Sequence, residues 1–402
     1  MCWLKIWAGG GRKNNRTQLL MKKLSMKPDA FIRYSVLALA WALISNNPQA
    51  CARDGNRGDE GGAVYTMDNA SAANHVLAYR RAANGTLTPD GSFATGGRGT
   101  GSGLGSQSAI VLSSSGRWLF ACNAGSDDVS VFLVVAQGLV LTDKVSSGGK
   151  RPISLALHRN SLFVLNAGGQ VGDTDRVNGF AFFAGRLYSL PESNHALSAD
   201  NTNPAQVGIS SDGGVLIVTE KDTGLIDTLT VDNDGALDHA KYFRSSGQTP
   251  FGFAVRGHDL LVTEAFGGAS DASAVSSYDL DHDGDLEVIS PSVPTTETSA
   301  CWTVVTGTGR FAYAANTGSG TISGYRLATD GALTLLNADG VTGITGANSS
   351  PADMTLSLNS RFLYCRNGNG TISAFRVNDN GSLSPLNGIS GLAEGSAGLA
   401  GR

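Results

Sequence analysis

From Ala63 onward the sequence repeats itself with a period near 50 residues, which confines the chain to copies of one supersecondary unit stacked or closed into a ring. The two most alike copies define the unit. Arg310 to Asn316 (RFAYAAN), followed by GTISGYRL and TDGALTLLN, aligns with Arg361 to Asn367 (RFLYCRN), GTISAFRV and NDNGSLSPLN. A glycine followed within two places by leucine marks the same point in every copy: Gly85-Leu87, Gly138-Leu139, Gly185-Leu187, Gly235-Leu237, Gly284-Leu286, Gly331-Leu333 and Gly381-Leu383. There are seven units.

Each unit holds short alternating or apolar runs bounded by Gly, Asn, Asp or Pro, the marks of strands and tight turns. First runs include PISLAL, PAQVGI, PFGFAV and PADMTL, second runs RWLFAC, GVLIV and RFLYC, third runs DVSVF, TISGY and TISAF, and a fourth run follows each Gly-Leu signal. Seven units of four strands predict an all-β chain, a seven-bladed β-propeller of four-stranded antiparallel blades whose strand edges are short and protected. The N-terminal copy begins with a second-type run, AVYTM, and its missing first run, AGLAG after Ser396, stands at the C-terminus. The C-terminal strand should therefore close the ring in the first blade. Pro152, Pro204, Pro250 and Pro351 are expected where innermost strands begin, because a missing N–H is harmless there.

The repeat settles what composition leaves open. A length of 402 residues alone suggests two or three domains, and 53 glycines with only 16% charged residues read at first as looseness. Positive-φ turns such as Asn233-Asp234-Gly235 and Asp379-Asn380-Gly381 account for much of that glycine. The expected organisation is an N-terminal extension and signal peptide over 1–52, a flexible linker over 53–62 and one propeller over 63–402.

The net charge of −4 hides an uneven distribution, since the first 52 residues hold eight of the 30 Lys and Arg but one of the 34 acids. Beyond them stand 22 basic against 33 acidic residues, a net of −11. With four lysines there (Lys144, Lys150, Lys221 and Lys241) and no basic run among aromatics, nucleic-acid binding is excluded. Lys22, Lys23, Lys27 and Arg33 precede an apolar stretch from Tyr34 to Ile44 and a small-residue Ala50-Cys51-Ala52. This is the pattern of a secretory signal peptide, too short to span a bilayer, so a secreted or periplasmic address is expected, with Met21 or Met26 as an alternative start. Cys51 as a lipidated first residue is the weaker alternative, because Pro48 stands where lipoprotein signals carry an aliphatic residue. Cys122, Cys301 and Cys365 remain after cleavage, an odd number without a C-x-x-C, so neither a complete disulfide framework nor a thiolate metal site is expected.

Propellers gather ligands where the loops after the second strands and those leading into the first strands meet. The residues at the ends of the second strands are Asp68, Asn123, Asn166, Glu220, Glu264, Asn316 and Asn367. Asn and Asp suit a strand-end turn, whereas the glutamates of two neighbouring units depart from the rule. Glu220 and Glu264 are therefore candidate catalytic carboxylates, with a salt bridge from Glu220 to Lys221 as the structural alternative. The loops leading into the first strands add Gln107, Lys150, Arg151, Gln248, Glu297 and Trp302, of which Arg151 can hold a carboxylate by both arms of its guanidinium. Asn123, Asn166, Asn316, Gln107, Gln248 and Trp302 are the candidate substrate contacts. No histidine is paired with a nucleophile, and G-x-S-x-G is absent. Asp279 to Asp285 resembles a calcium loop, yet Glu287 comes too early to close one, so it reads as a turn and no metal is expected. The glycine run GGRGTGSGLG from Gly96 reads as a flexible connection between the first two blades, without the helix a phosphate cradle needs.

The strings AVYTMDN, GTLTPDGSF, SSSGRWLFACNAGSDDVSVF, SSDGGVLIVTEK and TGTGRFAYAANTGSGTISGYRL resemble the lactonase-type seven-bladed propeller family, over roughly Ala63 to Arg402. That family includes 6-phosphogluconolactonase and the 3-carboxy-cis,cis-muconate lactonizing enzyme. The resemblance implies a cofactor-free lactonase or cyclase acting on a small carboxylated lactone, with Arg151 as anchor, Glu220 or Glu264 as base and Asn123 or Asn166 as carbonyl donor. The His-x-His element of the phosphogluconolactonase-like members has no counterpart. A non-catalytic extracytoplasmic propeller that binds a small molecule, glycan or protein is the other expectation. In either case a monomer without a membrane span is expected.

Overall fold

A computed structural model describes residues 61–169 and 173–402. The extension and signal peptide expected over 1–52 and most of the linker expected over 53–62 lie outside the described residues. The described strands form seven antiparallel sheets, six of them four-stranded. The innermost strands of blades 1 to 7 are Ala397–Gly401, Ile110–Leu112, Pro152–His158, Pro204–Ile209, Pro250–Arg256, Ala300–Val305 and Pro351–Leu356. Among the described residues no helix is long and apolar enough to cross a membrane.

The ring closes as the offset of the repeats requires. Ala397–Gly401 pairs with Gly62–Met67, which continues to His75–Arg81 and Leu87–Ala94. Thr66 Oγ1 donates to Gly398 O at 2.7 Å and the Arg402 N–H to Ala63 O at 2.9 Å.

All four prolines begin innermost strands. Just before the innermost strands of blades 2 to 7 stand Ser108, Arg151, Asn203, Thr249, Ser299 and Ser350, each with φ between +51° and +65°. Left-handed backbone is uncommon outside glycine, and here it turns the chain inward from the rim. The turn is held in place, because the carbonyls of Arg151, Thr249, Ser299 and Ser350 accept the N–H that follows the end of the second strand, at 2.8 to 3.1 Å.

The middle strands are buried on both faces, as in Val215–Glu220 and Phe311–Asn316, and their aliphatic and aromatic side chains form the cores between blades. Tyrosines carry the packing outward: Tyr364 Oη donates to Gly85 O at 2.6 Å and Tyr313 Oη to Gly381 O at 2.8 Å, each reaching the outer turn of the next blade. Gly85 and Gly381 have φ near +90°, and a Cβ on either would collide with Phe362 or Phe311 of the preceding blade. Two details differ from the regular scheme. Blade 6 divides its outer edge between Leu333–Leu335 and Gly343–Ile344, both on Thr321–Leu327, because a turn closed by Gly340 N–H to Asn337 O loops out between them. In blade 4 the Gly-Leu signal forms only a bridge, Val231 to Leu237, and the outer strand waits until Lys241–Arg244.

Candidate functional site

The strand-end side chains turn inward within their own blades. Asn316 Nδ2 donates to Thr321 Oγ1 and Ser323 Oγ at 3.0 and 2.8 Å, and Asn367 Nδ2 to Thr371 Oγ1 and Ser373 Oγ at 2.9 and 2.8 Å. Asn123 Nδ2 reaches Asp128 Oδ1 and Ser130 Oγ at 2.6 and 2.8 Å, and Asn166 Nδ2 reaches Asn178 Oδ1 at 3.0 Å. All four are buried. Each ties the end of the second strand to the third, so the loop between them is pinned where it reaches the mouth.

The two glutamates occupy the same post. Glu264 is fully buried and accepts from Ser245 Oγ at 3.0 Å, Gly247 N at 2.7 Å, Ser276 Oγ at 2.6 Å and Ser292 Oγ at 2.7 Å. Glu220, also fully buried, accepts from Ser198 N at 3.0 Å and from Ser198 Oγ and Thr223 Oγ1 at 2.5 Å. The two carboxylates share no partner, and Lys221 bonds elsewhere. Where Ser130, Ser276, Ser323 and Ser373 stand in other blades, blade 4 has Asp227, opposite Val218. Burial, and next the charge of Glu220, push the Asp227 carboxyl up to about 9. At neutral pH Asp227 therefore holds a proton, and its O–H is placed to donate to Glu220 as the Ser276 hydroxyl donates to Glu264.

Nearer the axis, a second regularity links the blades. The third residue of an innermost strand caps the exposed N–H of the next: Ser154 Oγ accepts from Val207 N at 3.1 Å, and Gln206 Oε1 accepts from Phe253 N at 2.7 Å while its Nε2 donates to Phe253 O at 3.0 Å. Blade 5 has Gly252 at this place, with no side chain to offer. Gln107 fills the gap from across the channel, Nε2 donating to Thr303 O at 2.9 Å and Oε1 accepting from Thr303 N at 3.3 Å. A Cβ on Gly252 would collide with that Oε1.

Gln107 ends the glycine-rich connection from blade 1 to blade 2, whose contacts correct the expectation of a flexible connection. Leu104, Ser106 and Gln107 are buried. Ser106 Oγ donates to Ile153 O at 2.7 Å, Trp302 Nε1 to Ser106 O at 3.0 Å, Gln107 N to Ala205 O at 3.2 Å, and Lys221 Nζ to Gly105 O at 2.9 Å. These contacts reach blades 3, 4 and 6, so the segment crosses the channel and plugs it. Glycine permits the path, because a Cβ at Gly99 would meet Asn69 and one at Gly125 would meet Gly99 O. Gln107 and Trp302, expected as ligand contacts, both have their polar groups committed to the plug.

Above the plug stand the cations of the mouth. Lys221 Nζ lies 4.6 Å from the centre of the Phe251 ring, whose neighbour Trp302 is 5.1 Å away. Burial first, and to a lesser degree the nearby Arg151 guanidinium, lower the Lys221 ammonium to about 8. Arg151 is half-buried, and among the described residues nothing pairs with its guanidinium, while its N–H donates to Asp127 Oδ1 at 2.8 Å. Cys301 lies beside Lys221 as a buried thiol pushed up to about 11 by desolvation, and Cys122, Cys301 and Cys365 are all free. The other expected groups are peripheral: Lys150 pairs with Asp127 at 2.8 Å, Glu297 accepts from Thr321 Oγ1 at 2.8 Å, and Gln248 is exposed. Sequence reasoning gave Lys221 no ligand role. The available signal was its place directly after a strand end of the mouth in a segment poor in lysine.

The Asp281 turn is held by its own carboxylate, which accepts from Asp283 N and Asp285 N at 2.9 and 2.8 Å. Among the described residues no cluster of three or more His, Cys, Asp or Glu side chains could hold a metal.

Residues 41–181 match the family model described as lactonase, 7-bladed beta-propeller. Among solved structures, a 6-phosphogluconolactonase candidate from Bacteroides fragilis superposes with a TM-score of 0.66 at 17% identity, covering 87% of this chain and 100% of that one. The periplasmic gluconolactonase of Pseudomonas aeruginosa superposes with a TM-score of 0.53 at 20% identity, over 65% of this chain and 78% of that one. At such identities the likeness is one of fold. No curated protein matches the sequence.

Proposed function

We propose, from the premise that this chain is a seven-bladed β-propeller of the lactonase type, that it opens or forms a small carboxylated lactone at the channel mouth. The observation that carries the reading is the pair of cations there: Arg151, with no partner among the described residues, and Lys221, half-buried over Phe251. A guanidinium can hold the substrate carboxylate by two parallel hydrogen bonds, while an ammonium in a partly dry site stabilises the oxyanion that develops when water attacks the lactone carbonyl. The aromatic wall of Phe251 and Trp302 suits the ring carbons. The leader over 21–52 supports an extracytoplasmic site of action, and the reading needs neither cofactor nor partner subunit.

Lys221 gives the reading a pH signature. Its ammonium is lowered to about 8, so attraction for an anionic ligand should weaken as pH rises through 8. The test is turnover of a panel of carboxylated and neutral lactones by the mature protein. Arg151→Ala should raise KM for carboxylated lactones by about 10-fold or more and leave neutral ones unchanged. The substitution keeps a Cβ at a residue of φ +53°, so the backbone is not relieved. Equal loss on both classes would remove Arg151 from carboxylate recognition. The burial of Glu220 and Glu264, with their oxygens bonded inside the blades, favours the second reading, a propeller that binds carboxylates without turnover. Arg151-dependent binding without hydrolysis would decide for it.

A further inference from the structure

The plug leaves the far half of the channel as a pocket of its own. A cavity of about 270 Å³ opens away from the mouth, with Gln107 at one end and the inner strands of blades 5, 6 and 7 as its walls, at Phe253 to Val255, Thr303 to Val305 and Met354 to Leu356. No ionisable side chain lines it. Its polar groups belong to the backbone. In an antiparallel ladder, residues whose N–H and C=O face away from the partner strand alternate with residues that face it. Phe253 and Thr303 turn both groups outward to a glutamine side chain, so Val255 and Val305, two residues further, also turn theirs into the channel.

The molecule already shows what such an edge recognises. Gln206 on Phe253 and Gln107 on Thr303 each place a primary amide flat against an inner-strand edge, donating to the carbonyl and accepting from the N–H. We propose that the far half of the channel is a binding site for a small neutral carboxamide or lactam, whose amide repeats this two-point bond on the next free edge, at Val255 or Val305, with its hydrocarbon part against the half-buried Ala254, Val304 and Leu356. A carboxylate of the same shape cannot donate to the carbonyl and would enter an uncharged site as an ion, so it is rejected. The site lies apart from the cationic mouth and does not depend on the lactone reading.

The experiment is saturation-transfer NMR on the mature protein with benzamide and, as its isosteric anion, benzoate. Benzamide should receive at least about five times the transfer of benzoate, corresponding to roughly one hydrogen bond lost and one charge desolvated. Ala254→Trp and Leu356→Trp, at two half-buried positions on the wall, should each abolish it while circular dichroism stays unchanged. Lys221→Met should leave it intact. The proposal falls if benzamide receives no transfer, if benzoate receives as much, if transfer survives both filling variants, or if Lys221→Met removes it, which would place the ligand at the mouth.

Discussion

Blades 5 and 6 end their second strands with different residues, Glu264 and Asn316, in the same position, and the contrast shows what the position requires. Asn316 needs two hydroxyls on the third strand and finds them at Thr321 and Ser323. Glu264 is longer and charged, so it draws donors from further away: Ser245 and Gly247 of the connection from blade 4, Ser276 of the third strand and Ser292 of the fourth. The glutamate thereby ties the connection between blades to the blade itself, which Asn316 does not reach. Blade 4 is a third solution. Glu220 has three donors from Ser198 and Thr223, and the place of the serine is taken by an acid that must stay protonated.

The largest effect is expected from removing the best-supplied of these groups. Glu264→Ala leaves one buried and three half-buried donors without this acceptor and should destabilise the protein by about 4 kcal/mol in urea unfolding. If it costs less than Asn316→Ala, the contrast between the two blades is empty. Asp227→Asn should instead stabilise. A carboxyl whose folded pKa, about 9, lies above its ordinary value of 3.8 makes the folded state bind a proton that the unfolded state releases. Its contribution is complete below pH 4 and is lost progressively as pH rises towards 9. An asparagine in its place keeps a donor for Glu220 at every pH, so the variant should gain on the wild type steadily as pH rises from 4 to 9 and no further above pH 9. A constant gain across pH would mean that Asp227 does not titrate. The smallest effect is expected from Asn316→Ala, about 1 to 2 kcal/mol, because the two hydroxyls lose only an incoming hydrogen bond and can still donate, as Thr321 does to Glu297.

Much of the fold was legible because propeller blades repeat their local chemistry: proline at the innermost strand, Gly-Leu after the third strand, a short polar residue at the end of the second. The circular offset of the runs even placed AGLAG in the first blade. What the sequence did not disclose depends on contacts across the ring. Nothing local to Gln107 says that it replaces the side chain Gly252 lacks, and glycines at 96 to 105 read as looseness although Gly99 is there to let two backbones touch. Glu220 and Glu264 were visible as departures from asparagine. The departure alone could not say whether the carboxylates faced a ligand or their own blades, since that turns on serines many residues away. Lys221 shows the complementary effect: next to Glu220 in sequence it looked like its partner, but neighbours at a strand end point to opposite sides, and Lys221 bonds to Gly105 instead.

The strand that completes the first blade, Ala397–Gly401, is separated from its neighbour Gly62–Met67 by the whole of the ring. During synthesis the first blade must therefore wait with an open inner edge while six others are made, and the closing contact joins residues of nearly maximal sequence separation. Such contacts form slowly, because the loop entropy is lost before any pairing is gained. A chain built this way stays incompletely folded until its final strand emerges. The same delay makes the first blade the part most exposed to wrong pairing if Ala397–Gly401 is shortened.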